Sequence, residues 1–123
     1  MKIIYSDYVH NNHGGSIVKV MHKNMLIDFG HHAWGQMFER WKFTSVHKME
    51  DIFRAYTHFL TNDKSVEIWN KATINVPIVM HDTKHKIGCA CAKRTNGWKV
   101  ITVFNEHDGN LLKHGKEQPC YFL

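Results

Sequence analysis

The side chains best suited to catalysis lie between positions 32 and 41, where the sequence reads HAWGQMFERW. If this segment is a helix, steps of four and seven residues bring four polar side chains to one sector. They are His32, Gln36, Glu39 and Arg40. An imidazole can move a proton near neutral pH, and a guanidinium can hold a phosphate through two parallel hydrogen bonds. The sector therefore favours phosphodiester chemistry, although a solvated helix surface can carry the same residue types.

Histidine and cysteine recur further along the chain in a series that resembles a metal site. The series is His81, His85, Cys89 and Cys91. Structural zinc sites usually separate paired cysteines by two to four residues, whereas a Cys-x-Cys pair on a strand is better explained as two small buried side chains. The glycines at positions 14 and 15 lack the following Lys and Ser or Thr of a phosphate loop. We therefore expect no metal and no cofactor.

Two amphipathic helices are predicted to position the polar sector. Apolar residues at helical spacing cover residues 31–41, with Ala33, Trp34, Met37 and Trp41 opposite the polar side chains. A second helix is predicted over about residues 46–60, after a capping pair at Thr44 and Ser45. Its apolar stripe consists of Met49, Ile52, Phe53, Tyr56, Phe59 and Leu60.

Strand-like segments flank these helices. An N-terminal β region is predicted over residues 3–9, 16–22 and 25–29, with turns at 11–15 and 23–24. After Lys64 the pattern is all strand, over residues 66–70, 76–81, 86–94 and 98–104. Between the last two, Asn96 and Gly97 form a strong hairpin signal.

Apolar residues on both sides of the strand over residues 98–104 predict a central strand. Val100 and Phe104 would face one way, and Ile101 and Val103 the other. In the preceding strand, small residues share one face, on which we expect a helix to lie closely. They are Gly88, Ala90 and Ala92.

The composition predicts one small basic domain. The chain has 123 residues, and 16 Lys and Arg against 11 Asp and Glu give a net charge of +5. A basic surface with 11 histidines suits nucleic acid, and ordinary excess charge explains it equally well. Three cysteines argue against a disulfide framework, the N-terminus lacks a signal peptide, and no apolar run reaches 18 residues. We expect a cytoplasmic protein without membrane contact.

The predicted fold is a single α+β domain. An antiparallel sheet of at least four strands would carry two helices on one face, beside a short N-terminal β region. The β region would cover residues 1–29, the helical pair 30–61, the sheet 64–104 and a tail 105–123.

The chain resembles the RelE-type superfamily of small toxin-like ribonucleases, which takes in barnase-, EndoU- and RelE-like folds and phage-encoded mRNA endoribonucleases. The resemblance covers roughly residues 28–104. It rests on His32, Ala33, Met37 and Arg40, on the helix over residues 46–60, and on the strand VITV at 100–103. The chain departs from the family at Gln36, where the pattern has an arginine; an amide can still donate a hydrogen bond to phosphate, but without charge.

The resemblance implies metal-independent RNA cleavage, in which the ribose 2′-hydroxyl loses a proton and attacks the adjacent phosphate. It casts His32 as acid or base and Arg40 as the phosphate ligand. His81 or His85 would be the second proton-transfer group. Residues contacting RNA would be Gln36, Lys84, Lys86, Lys93 and Arg94.

A second interpretation is a non-enzymatic, phage-type protein that binds nucleic acid or inhibits a host factor. Gln36 favours it, because a fold can persist after its chemistry is lost. The partners expected under the two interpretations are RNA, a host protein or a cognate antitoxin.

Overall fold

The computed structural model describes residues 2–5, 16–41, 46–105 and 120–123. These residues form seven strands and three helices. The strands are β1 (Lys2–Tyr5), β2 (Ser16–His22), β3 (Met25–Gly30), β4 (Pro77–Asp82), β5 (Ile87–Arg94), β6 (Gly97–Asn105) and β7 (Cys120–Phe122). The helices are α1 (His31–Trp41), α2 (Val46–Leu60) and α3 (Asp63–Lys71). The predicted turn at 11–15, the capping pair at 44–45 and most of the predicted tail lie outside the described residues.

The described strands form one mixed sheet in the order β1-β2-β3-β6-β5-β4-β7. The predicted α+β class, with helices packed on a sheet of at least four strands, is confirmed. The sheet is not wholly antiparallel, however, because β3 pairs with β6, and β4 with β7, in parallel. A parallel pair needs a long crossover connection, and between β3 and β6 it consists of the helices and the β4–β5 hairpin. The predicted N-terminal β region supplies three of the seven described strands of this sheet.

The apolar stripe predicted for α2 forms the centre of the main core. Its buried members are Met49, Phe53, Tyr56, Phe59 and Leu60, with Ile52 half-buried beside them. They pack with Ala33 and Met37 of α1 against one face of the sheet. The Tyr56 hydroxyl also donates a hydrogen bond to the Gly88 carbonyl at 2.8 Å. Packing and this hydrogen bond together hold α2 against β5. None of the helices in the described ranges is long and apolar enough to cross a membrane.

Residues 66–70 belong to helix α3, so the strand predicted there is wrong. Asn62 caps the helix, because its side chain accepts a hydrogen bond from the Ser65 N–H at 2.8 Å. In the last turn of α3, the Trp69 indole N–H donates to the Gly97 carbonyl at 2.7 Å. A short apolar run is compatible with a strand or a helix, and these two contacts stabilise the helix.

A β-bulge changes which residues of β6 face the main core. The pairing of β6 with β5 shifts by one residue at Ile101. Val100 and Val103 consequently both join the main core, while Phe104 packs on the opposite face of the sheet. The predicted grouping of Val100 with Phe104 is wrong, because the bulge interrupts the two-residue period. The prediction of a central strand is confirmed, since β6 lies between β3 and β5.

Gly97 allows β3 and β6 to approach each other closely. The β5–β6 hairpin forms where Asn96 and Gly97 predict it, with residues 95 and 96 in the turn. Gly97 itself is the first residue of β6 and pairs with Leu26 of β3. A Cβ atom at position 97 would lie 1.8 Å from the Leu26 carbonyl oxygen. A side chain at this position would therefore force the parallel strands apart.

We expect Gly97→Ala to lower the free energy of unfolding by about 3 kcal/mol, because the new methyl group meets rigid backbone. Urea denaturation followed by circular dichroism measures the change. Gly35→Ala is the matched control, since Gly35 is exposed in α1 and a Cβ there has no neighbour within 4 Å. That substitution should stabilise the helix by about 0.5–1 kcal/mol. An unchanged midpoint for Gly97→Ala would contradict the close approach of the strands.

Candidate active site

The polar sector predicted on α1 is divided between solvent and core. His32 is exposed in the first turn of the helix, whereas Gln36 is buried. Arg40 belongs to α1, but its side chain lies outside the described part of the chain. The helix therefore does not present His32 and Gln36 together on one exposed surface.

Gln36 completes the hydrogen bonding of β6. Its Oε1 accepts a hydrogen bond from the Val103 N–H at 2.9 Å. The parallel pairing of β3 with β6 ends at Phe29 and Val100, because the chain leaves β3 at Gly30 and enters α1 directly. The Gln36 side chain then provides the acceptor that a neighbouring strand would otherwise supply. Gln36 thus has a structural contact that is independent of any phosphate.

His81 lies on the sheet face opposite the helices. It is only 5% exposed, and its ring centroid is 5.5 Å from that of Phe104. Gly88 leaves room for it, because a Cβ at position 88 would lie 2.9 Å from the His81 Nδ1. On the small-residue face of β5, where a helix is expected, the described neighbours of Gly88 and Ala90 are His81 and Phe104, and the described helices pack on the other face. Burial lowers the pKa of His81 and favours its neutral ring.

A cleft of about 730 Å³ opens between the helices and the β4–β5 turn, and we call it the histidine cleft. The end of α2 and the start of α3 form one wall, and residues 82–85 form the other. Its polar lining consists of His58, Asn62, Asp63, Lys64, Asp82, Thr83, Lys84 and His85. Ala55, Phe59 and Leu123 add apolar surface. Two histidines and two lysines thus share one concave surface.

Asp82 holds His85 in place from within the β4–β5 turn. Its Oδ2 lies 2.7 Å from the His85 Nδ1. Its Oδ1 accepts hydrogen bonds from the backbone N–H groups of Lys84 and His85, at 3.1 and 3.2 Å. This is the local turn geometry that an aspartate side chain favours. One carboxylate therefore orders both the turn and the imidazole.

His58 reaches the same cleft from the last turn of α2. Its ring also meets that of His22 edge-on, with 5.3 Å between the centroids. Partial burial, and then the charge of His58, lower the pKa of His22. Sequence reasoning did not select His58, because an exposed position on an amphipathic helix resembles ordinary solvated surface. Asp82 was a usable signal, since it precedes His85 by three residues in a turn.

The basic residues predicted to contact RNA lie at both ends of β5. Lys84 lines the histidine cleft, and Lys86 is exposed in the same turn. Lys93 is half-buried, with its Nζ 4.3 Å from the centroid of the Trp69 ring. Arg94 lines a second cleft beyond the far end of the strand. The four cations therefore do not share one site: Lys84 and Lys86 lie at one end of β5, and Lys93 and Arg94 at the other.

Cys89 and Cys91 are buried in the main core, where they pack as small apolar side chains. Burial raises the pKa of the Cys91 thiol, and the neighbouring Cys89 raises it further. Among the described residues, no three His, Cys, Asp or Glu side chains are grouped to hold a metal ion.

Comparison of the chain with protein-family models, curated proteins and solved structures found no match. The resemblance to RelE-type ribonucleases therefore rests on the sequence positions alone and stays a prediction.

We expect Gln36→Met to lower the free energy of unfolding by about 1–2 kcal/mol, because the acceptor for the Val103 N–H is lost while the length of the side chain is kept. Thermal and urea denaturation measure the loss. Glu39→Met, at an exposed position of the same helix, is the control and should change stability by less than about 0.5 kcal/mol. Equal effects of the two substitutions would show that the Gln36 contact contributes nothing.

The stability of the fold should decrease below neutral pH in a way that depends on His81. Its pKa is lowered from 6.5 in the folded chain, so just below that pH the unfolded chain binds more protons. The free energy of unfolding must therefore fall as the pH is lowered from about 7 towards 5. Denaturation at about pH 7.5 and at about pH 5 measures the difference.

In His81→Phe, the loss of stability between these two pH values should be smaller than in the wild type. Val79→Ala is the control, because Val79 is buried on the same sheet face but does not titrate. It should lower stability equally at both pH values. A pH dependence unaltered in His81→Phe would assign the effect to other groups.

Proposed function

We propose that this chain is a metal-independent endoribonuclease and that its catalytic groups line the histidine cleft. The observation that supports this proposal is the Asp82–His85 pair, 2.7 Å apart, in a cleft that also contains His58. Two imidazoles can perform both proton transfers of phosphodiester cleavage, and cations can stabilise the developing charge on the phosphate. The net charge of +5 suits a polyanionic substrate.

We assign His85 as the general base. When its Nδ1 donates to the Asp82 carboxylate, Nε2 carries the lone pair and can accept the proton of a ribose 2′-hydroxyl. The O2′ atom then attacks the adjacent phosphorus, and the bond from phosphorus to O5′ breaks. Protonated His58 donates its proton to the leaving O5′. The products are a 2′,3′-cyclic phosphate and a 5′-hydroxyl, and the two histidines end with exchanged protonation states.

We assign Lys64 and Lys84 to the phosphate. Lys64 lies in the first turn of α3, and Lys84 lies in the β4–β5 turn, so they belong to different walls of the cleft. Both side chains are exposed, which leaves their ammonium groups accessible to a bound polyanion. A lysine acts on phosphate as a mobile point charge, and two of them can neutralise the charge that develops during attack.

A cleavage assay on end-labelled single-stranded RNA in the presence of EDTA tests the proposal. We expect His85→Ala and His58→Ala each to lower the initial rate by about 10²–10⁴-fold, because each removes one proton-transfer group. Asp82→Asn should also lower the rate, since it weakens the contact that orients His85. His32→Ala is the matched control: His32 is exposed but lines neither cleft, and this variant should cleave at the wild-type rate.

Circular dichroism of each variant shows whether the fold is retained. If His32→Ala abolishes cleavage and His85→Ala does not, the chemistry resides on α1, as the family resemblance implies. If the wild-type chain binds RNA without cutting it, the enzyme proposal fails and the non-enzymatic interpretation is favoured.

A further inference from the structure

A second cleft, of about 600 Å³, lies beyond the end of β5 opposite to the histidine cleft, and we call it the basic cleft. Three of its lining residues, Lys19, Asp28 and Lys99, occupy paired positions on β2, β3 and β6. Paired residues project from the same face of a sheet. That face is opposite the helices, since the residues on either side of Asp28 along β3 are buried in the main core.

The charges in the basic cleft leave an excess of cations. Lys19, Lys99 and Arg94 line it together with one carboxylate, that of Asp28. The Lys99 Nζ lies 3.7 Å from the Asp28 Oδ1, and both side chains are less than one-fifth exposed. This ion pair neutralises one positive charge, and the lining residues that the structure describes keep a net charge of two. A concave surface with an excess of one sign of charge concentrates ligands of the opposite sign.

Arg94 is held in position before any ligand binds. Its guanidinium donates a hydrogen bond to the Asn75 side chain. The Asn75 N–H in turn donates to the Lys93 carbonyl at 3.0 Å, and Ile74 forms a parallel bridge with Lys93. The segment before β4 is thereby fixed to the end of β5. A guanidinium has five N–H donors, so this contact leaves donors for a phosphate while reducing the entropy lost on binding.

Apolar surface lies beside these cations. Ile74 is 48% exposed and Leu26 is half-buried, and both line the basic cleft. Proteins that bind single-stranded nucleic acid combine a positively charged groove for the backbone with side chains, most often aromatic, against which unpaired bases stack. Ile74 and Leu26 offer apolar contact surface next to the cations, which a small inorganic anion would not use.

We propose that the basic cleft binds the phosphate backbone of single-stranded RNA as an anchoring site separate from the histidine cleft. The identification of the polymer as RNA rests on the proposed function. The charge and lining of the basic cleft are independent of that function. The eight residues of β5 separate the two clefts by about 25 Å at 3.3 Å per residue. An RNA that spans this distance would contact both, whereas a dinucleotide would reach only one.

Binding of a fluorescein-labelled RNA of about 20 nucleotides, which is more than long enough to reach both clefts, tests the proposal by fluorescence anisotropy. All variants carry His85→Ala, so that the RNA stays intact. We expect Lys19→Gln with Arg94→Gln to weaken binding at least about tenfold and to reduce the slope of log K against log salt by about 1.4, since each single-strand phosphate contact contributes about 0.7.

The matched control is Lys48→Gln with Lys71→Gln, which removes the same charge from exposed positions outside both clefts. Its affinity and salt slope should stay at the values of the His85→Ala parent. An equal loss in the two double variants would overturn the proposal, because the effect would then be one of net charge. Failure of the parent chain to bind the RNA at any salt concentration would also overturn it.

Two further measurements separate the possible ligands and the two proposals. Inorganic phosphate at the salt concentration used should not displace the RNA beyond its ionic-strength effect; specific displacement would identify a small-anion site and overturn the anchoring proposal. In the active background, the Lys19→Gln, Arg94→Gln variant should lose a larger factor of kcat/KM on the fluorescein-labelled RNA than on a dinucleotide, which reaches only one cleft. An equal loss on the two substrates would mean that the two clefts are not separate sites.

Discussion

The parallel pairing of β3 with β6 is the contact on which the rest of the structure depends. It joins the β1-β2-β3 meander to the β6-β5-β4-β7 half of the sheet. The pairing begins where Gly97 meets Leu26, and the Leu26 N–H donates to the Asn96 carbonyl at 2.8 Å. Only a residue without a side chain fits there, because the Leu26 backbone occupies the space of a Cβ atom. A single steric constraint at the start of β6 therefore decides whether the two halves form one sheet.

The same pairing explains the position of the helices. Two parallel neighbours need a long connection, and α1, α2 and α3 belong to the connection between β3 and β6. Because α1 starts immediately after Gly30, β6 has no partner on its β3 side beyond Val100. There the Gln36 side chain supplies an acceptor for the Val103 N–H. The helices cover one face of the sheet, and Phe53 and Tyr56 of α2 are fully buried between the two layers. What resembles a lost phosphate ligand in the sequence is, in the fold, part of the hydrogen bonding of the sheet.

β5 relates the two clefts to each other. The turn before it carries the Asp82–His85 pair, whose short contact suits proton transfer, and the turn after it adjoins Arg94 and its Asn75 partner. At one end, a carboxylate orients an imidazole in a cleft that a second imidazole also lines. At the other end, a side-chain amide orients a guanidinium beside an ion pair that leaves net positive charge. Under the two proposals made above, the first arrangement would carry out the chemistry and the second would retain the RNA.

The sequence by itself determined the elements whose signals are local. The bounds of α1 and α2 agree with the predicted helices, because residues three and four apart define a helix face, and Asn96 with Gly97 located the β5–β6 hairpin. Local patterns could not show that residues 66–70 are helical, since the indole contact of Trp69 is with Gly97, far along the chain. The turn containing His85, which the sequence offered as a candidate, lines a cleft, and His58 joins that cleft only once α2 has packed on the sheet. Periodicity fixes the face that a residue occupies on its own element. Strand order and packing decide which faces meet, and therefore which histidines and cations share a cleft. These contacts join residues far apart along the chain, and their separation has no periodic signature.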